Sequence, residues 1–188
     1  MDAFSYLSVL LSIILGLAIT QVLQGYRALL LSRSRVRLYL PSLIWSALLL
    51  IFSAQFWWAS FGLAGHIGWT FATFGIILLQ TILLYMMSAI VLPDLPDAGE
   101  LDLREHYYRE VGPFFTISLL MLAVSVAKDG MLNERLPDPV NLAFHATFAA
   151  ISIAALVFRR PRVHEIVAAA MVLLVMAYIA LLFARLGH

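Results

Sequence analysis

The side chains in this chain best suited to chemistry are Lys128, Asp129, Asn141 and His145, polar groups set in or beside long apolar runs. A histidine and a carboxylate held close together can relay a proton. With a neighbouring ammonium and amide they can also hold a cation or a polar headgroup. At about 100° per residue, Ser118, Ser125 and Asp129 share one helix face, and Asn141, His145 and Ser152 share another. Gln55 falls at a similar depth on a different helix. The plainer alternative has Lys128 and Asp129 ending a helix at the membrane surface, with His145 as a neutral interhelical hydrogen-bonder. Gln21 and Gln80 are further candidates for a polar interior, because an amide has more hydrogen-bonding groups to satisfy than a hydroxyl. Gln21 and Gln55 point away from the main polar faces of their helices, so they are expected to contact another helix or another subunit.

These groups must be positioned by apolar elements. The 12 Lys and Arg and 11 Asp and Glu lie almost wholly in gaps between six apolar runs, at 4–31, 39–63, 67–92, 113–132, 139–158 and 164–186. Hydrocarbon tolerates neither isolated charge nor unpaired backbone, so this segregation identifies lipid as the main solvent. Each run is about 20 residues or longer, enough to cross ~30 Å at ~1.5 Å per residue. None alternates polar and apolar as a barrel strand would. The expectation is an all-α integral membrane protein, one six-helix transmembrane domain over residues 1–188. A net charge of +1 points to no nucleic-acid partner, and the absence of cysteine removes disulfides and thiolate chemistry.

Orientation follows from the arginines. Arg33, Arg35 and Arg37, then Arg104 and Arg109, then Arg159, Arg160 and Arg162 fall in alternate connections, against Lys128, Arg135 and Arg185 on the other side. The positive-inside rule places both termini outside the cytoplasm. Asp2 replaces the basic start of a signal peptide, and the first run is too long to be cleaved as one. Pro41, Pro113 and Pro139 are expected in first helical turns. Trp57, Trp58 and Trp69 are expected as an outer aromatic belt, with Tyr26, Tyr39, Trp45, Tyr107 and Tyr108 as the inner one. The acidic, aromatic segment 94–112 is expected as a solvated cytoplasmic connector with a short surface helix, or as a docking site for a partner.

The first run repeats Ser8, Ser12, Gly16 and Thr20 at four-residue spacing, a small-xxx-small face for helix packing. With Ser42, Ser46, Ser53 and Ser60 on the second helix, and Thr70, Thr73, Gln80, Thr81 and Ser88 on the third, five polar stripes are expected to turn inward. They would either enclose a cavity or pack dry. The sixth helix is expected at the periphery. The likeness of 17–25, "LAITQVLQG", to 122–130, "LAVSVAKDG", allows a weak inverted repeat of three helices plus three.

No facing histidine pair for haem, HExxH, GxSxG or potassium-filter motif occurs, so neither a cofactor nor a metal is expected, and an enzyme acting on lipid through the outer cluster of Asp129 and His145 stands only as a third reading. At "VLPDLPD" (91–97) and "DLREHYYREVGPFF" (102–115) the chain resembles a group of small, uncharacterised bacterial polytopic membrane proteins. That resemblance implies a bacterial cytoplasmic membrane and no assigned activity. The expected role is binding or permeation of a small ligand through a polar interior open to the outside. The competing expectation is an accessory or scaffold protein acting through helix surfaces and the 94–112 segment. The bilayer, a second copy of the chain, and a membrane or cytoplasmic protein are its expected partners.

Overall fold

The structure is a computed structural model that describes residues 3–65, 68–94, 100–133 and 137–186. Residues 95–99 of the acidic connector, Ile67 and Arg135 lie outside the described residues. Six α-helices follow in order: α1 Ala3–Leu31, α2 Leu40–Ser60, α3 Phe71–Ile90, α4 Leu103–Asn133, α5 Pro139–Val157 and α6 Pro161–Leu186. All six are long and apolar enough to cross a membrane. In hydrocarbon each backbone N–H and C=O must find its partner within the chain, and a helix achieves that locally.

The helix starts carry their own signals. Thr70 and Thr73 form a reciprocal capping box at α3. Asp138 accepts from the Val140 and Asn141 N–H groups at α5, at 3.1 and 3.2 Å. Pro139 and Pro161 open α5 and α6, where no N–H partner is lost. Before α3, Gly68 takes a positive φ of 90°, a conformation glycine adopts without steric cost.

The helices close into a ring. Each packs on two neighbours in the cyclic order α1, α3, α4, α5, α6, α2, and α2 also reaches α3 and α4 across it. α1 lies along α3, but α4 and α6 make no comparable contact, so the packing of the two halves differs. One end of the bundle holds both ends of the helical path together with the α2–α3 and α4–α5 turns; we call it the terminal end. The other, arginine-rich end holds the remaining three connections.

Three expectations are corrected. First, α4 does not start at Pro113. It starts at Leu103, capped by Asp102, whose Oδ1 accepts from the Arg104 and Glu105 N–H groups at 2.8 and 3.1 Å. Much of the connector is therefore helix: Leu103, Tyr107, Val111, Phe114 and Phe115 form one buried seam, and Pro113 sits inside the helix. The hydrogen bond lost at that proline is outweighed by a seam that continues on both sides of it. A two-residue parallel ladder, Val36–Arg37 with Leu101–Asp102, fixes the start of α4 against the α1–α2 link.

Second, the Ser12, Gly16 and Thr20 face of α1 turns outward, with Ser8 at its half-buried edge. The buried face is Leu7, Leu11, Leu15, Ala18, Val22 and Leu29. Nothing lies within 4 Å of a Cβ placed on Gly16, whereas one on Gly25 would meet the Leu92 Cβ at 2.5 Å. Close approach at α1 therefore belongs to Gly25. The outward hydroxyls cost little because Ser12 and Thr20 donate to the Ser8 and Gly16 carbonyls of their own helix, at 2.8 and 2.7 Å.

Third, Trp45, Tyr39 and Tyr107 are not a surface belt. Trp45 is fully buried, with ring centroids 5.4 and 5.1 Å from Phe114 and Phe115, both edge-on. Phe148 stacks on it at 6.4 Å. The tyrosines tolerate burial because their hydroxyls find partners within the bundle. At the terminal end Trp57 and Trp58 are exposed, as an interfacial aromatic pair should be.

Candidate functional site

The α4–α5 seam gathers the sequence candidates. Ser118 and Ser152 are fully buried and share a hydrogen bond of 3.2 Å. Seven residues along each helix toward the terminal end, Ser125 Oγ and His145 Nε2 are 3.1 Å apart. The equal steps show an antiparallel register held over two turns. Four residues further on each helix, about one turn nearer the terminal end, come Asp129 and Asn141.

His145 Nδ1 lies 2.9 Å from the Asn141 carbonyl oxygen, which can only accept. Nδ1 therefore carries a proton, and in the neutral ring Nε2 accepts from the Ser125 hydroxyl. His145 is thus an interhelical hydrogen-bonder, and it bonds Ser125 rather than Asp129. Asp129 and Asn141 are half-buried, and neither side chain makes a hydrogen bond among the described residues. Lys128 is half-buried beside them, with Nζ 5.8 Å from the Phe56 ring centroid of α2, within cation–π reach.

The glutamines do not join this cluster. Gln21 Nε2 reaches the Tyr85 hydroxyl at 3.4 Å and ties α1 to α3. Gln80 is buried near the middle of α3, its Oε1 without a donor among the described residues. Gln55 is half-buried on α2, its Nε2 likewise without an acceptor among them. Among the other stripes, Ser42, Ser46, Ser53, Thr81 and Ser88 do face inward. Their surroundings are packed: Ser53 and Thr81 donate to their own helices, at 2.8 and 2.9 Å. No group of three or more His, Asp or Glu side chains suited to a metal forms among the described residues.

A second polar centre, at the arginine-rich end, was hidden among residues that read as anchors. Tyr107 Oη and His164 Nδ1 share a 2.9 Å hydrogen bond, and His164 is fully buried. Tyr39 and Tyr108 hydroxyls lie 3.3 Å apart, and both Tyr107 and Tyr108 meet the His164 ring edge-on. Burial, reinforced by the Tyr108 hydrogen bond, pushes the Tyr39 hydroxyl well above its ordinary pKa and keeps it protonated. His106 Nε2–H donates to the Ile90 carbonyl at 3.0 Å, so its Nδ1 accepts from Arg109 Nη2 at 3.0 Å. That contact satisfies an orphan carbonyl at the end of α3. The signal for this centre was the spacing of Leu103, His106, Tyr107 and Val111, a helical stripe running straight into the expected transmembrane segment.

The bundle carries a buried apolar layer that includes Trp45, Leu49, Leu84, Met87, Phe115 and Ala155. A cleft lined by Trp45, Ile90, Val91, Tyr107, Glu110, Val111, Phe114 and Phe115 has room for about one water molecule. No family model, curated protein or solved structure matches the chain.

Proposed function

We propose that this chain binds a small polar or amphipathic ligand at its terminal end, in a shallow site formed by Asp129, Asn141 and Lys128 and positioned by His145, whose ring nitrogens are committed to Asn141 and Ser125. One observation carries the proposal. Asp129 and Asn141 each lie one turn beyond the Ser125–His145 bond on their own helix, half-buried and without a side-chain hydrogen bond among the described residues. Partly desolvated polar groups are costly unless they gain a partner, and a ligand can supply one. Lys128 and Asp129 place opposite charges side by side, which favours a ligand that itself carries both. The Trp45, Phe114, Phe115 and Phe148 layer lies beneath, so passage of the ligand would require that layer to open. The arginine distribution supports a cytoplasmic-membrane orientation with the site outside.

The test is a thermal-unfolding series on purified protein with ethanolamine, phosphoethanolamine, choline and glycine as probes. At least one should stabilise the wild type by about 2.7 kcal/mol at a hundred times its Kd. Asp129→Asn and His145→Gln should each weaken that binding about tenfold, or ~1.4 kcal/mol, judged against their own ligand-free baselines. A probe that stabilises both variants as much as the wild type, or a wild type indifferent to all four, would overturn the proposal.

A further inference from the structure

At the arginine-rich end, the turn from α5 to α6 carries Arg159, Arg160 and Arg162, all exposed. Two other arginines at this end meet carboxylates, Arg37 with Glu100 at 2.9 Å and Arg109 with Glu110 at 3.0 Å, while Arg33, Arg35 and Arg104 form no ion pair among the described residues. Arg159, Arg160 and Arg162 make no such contact among the described residues either. The nearest acidic residue in sequence, Glu165, is exposed and forms no ion pair with them among the described residues. Three guanidinium groups within four positions repel one another, and they gain most from a shared anion.

What surrounds the turn limits the kind of anion. Val157, Phe158 and Ile166 are exposed on either side of the arginines, at 64%, 54% and 67%. On a helix pair that crosses a membrane, those side chains belong among acyl chains, so the guanidinium groups stand where hydrocarbon gives way to headgroups. An amphipathic ligand with an anionic phosphodiester above acyl chains matches both parts of the surface. Arginine suits it better than lysine, because the planar fork bonds two phosphate oxygens at once.

We propose that the α5–α6 turn is a binding site for the headgroup of an anionic phospholipid. The site is separate from the ligand site at the opposite end and does not depend on it.

The experiment equilibrates the protein with equal amounts of phosphatidylglycerol and phosphatidylcholine in mixed micelles, then measures retained lipid by native mass spectrometry. The wild type should retain phosphatidylglycerol at least tenfold over phosphatidylcholine, consistent with the attraction of several surface arginines for anionic lipid. The R159Q/R160Q/R162Q variant should fall to near parity, and R162Q alone should lose roughly threefold. These side chains are exposed, so the variants should keep wild-type helicity, and R162Q preserves the test if the triple variant does not fold. R33Q/R35Q, altered in a different connection at the same end, should keep the wild-type preference. Inorganic phosphate in large excess should not displace the lipid. Parity in the wild type, an equal loss in R33Q/R35Q, unchanged selectivity in R162Q, or displacement by free phosphate would each contradict the proposal.

Discussion

Replacing Trp45 by alanine should cost about 3 kcal/mol of stability, the largest loss expected from a single substitution in this protein. The indole is fully buried and meets Phe114, Phe115 and Phe148 from α4 and α5, so one side chain joins three helices. Lipid tails are as apolar as the core, so part of the usual transfer penalty disappears, leaving mainly lost contacts and a cavity. That argues for the lower end of the range seen for Trp→Ala in soluble cores. Trp45→Phe should cost much less, because a phenyl ring keeps most of the contacts with Phe114, Phe115 and Phe148. Trp58→Ala, at an exposed position, should change stability by less than about 0.5 kcal/mol. Reversible unfolding in detergent would give all three values. Equal losses at Trp45 and Trp58 would contradict the packing described.

The second large effect is expected at Tyr107. Removing its hydroxyl with Tyr107→Phe leaves His164 fully buried without its 2.9 Å partner. Its Nε2 makes no hydrogen bond of good geometry among the described residues, although the Phe158 backbone lies near the ring. An abandoned buried polar group costs about 1–3 kcal/mol, whereas replacing both partners by apolar groups of similar shape can be nearly neutral. Tyr107→Phe should therefore lose about 2 kcal/mol, and the double variant Tyr107→Phe/His164→Phe should recover much of that loss. A double variant that loses the sum of the two single effects would show that the pair does not act as a unit.

The sequence made the helices legible because lipid imposes a strong rule: charge outside, apolar residues within. Their inner faces were harder to read, for separable reasons. The stripe Ser12, Gly16 and Thr20 resembles a packing face, but Ser12 and Thr20 satisfy their hydroxyls on their own helix, so lipid tolerates them. Packing at α1 fell instead to its leucines and to Gly25, whose contact with Leu92 has no local signature. At α4, Pro113 and a run of charges hid a helix start. Yet exposed Arg104, Glu105 and Arg109 alternate with buried Leu103, His106, Tyr107 and Val111 at helical spacing. His164 stood beside three arginines and looked like a boundary residue, although Val167, Ala168, Met171 and Val175 continue its buried face. The Ser125–His145 bond could not be read from spacing alone, because it depends on the register between two helices.

The proposed ligand site requires water to reach the polar groups at the terminal end but not Ser118, fully buried within the bundle. Single-cysteine labelling tests it most directly, since the chain has no cysteine of its own. Asn141→Cys and Ser118→Cys would each be exposed to a membrane-impermeant maleimide, added separately to the two faces of sealed vesicles. Cys at 141 should react from the face bearing the termini, while Cys at 118 should stay silent until the protein is denatured. Labelling at 118 as fast as at 141, or no labelling at 141 from that face, would contradict it.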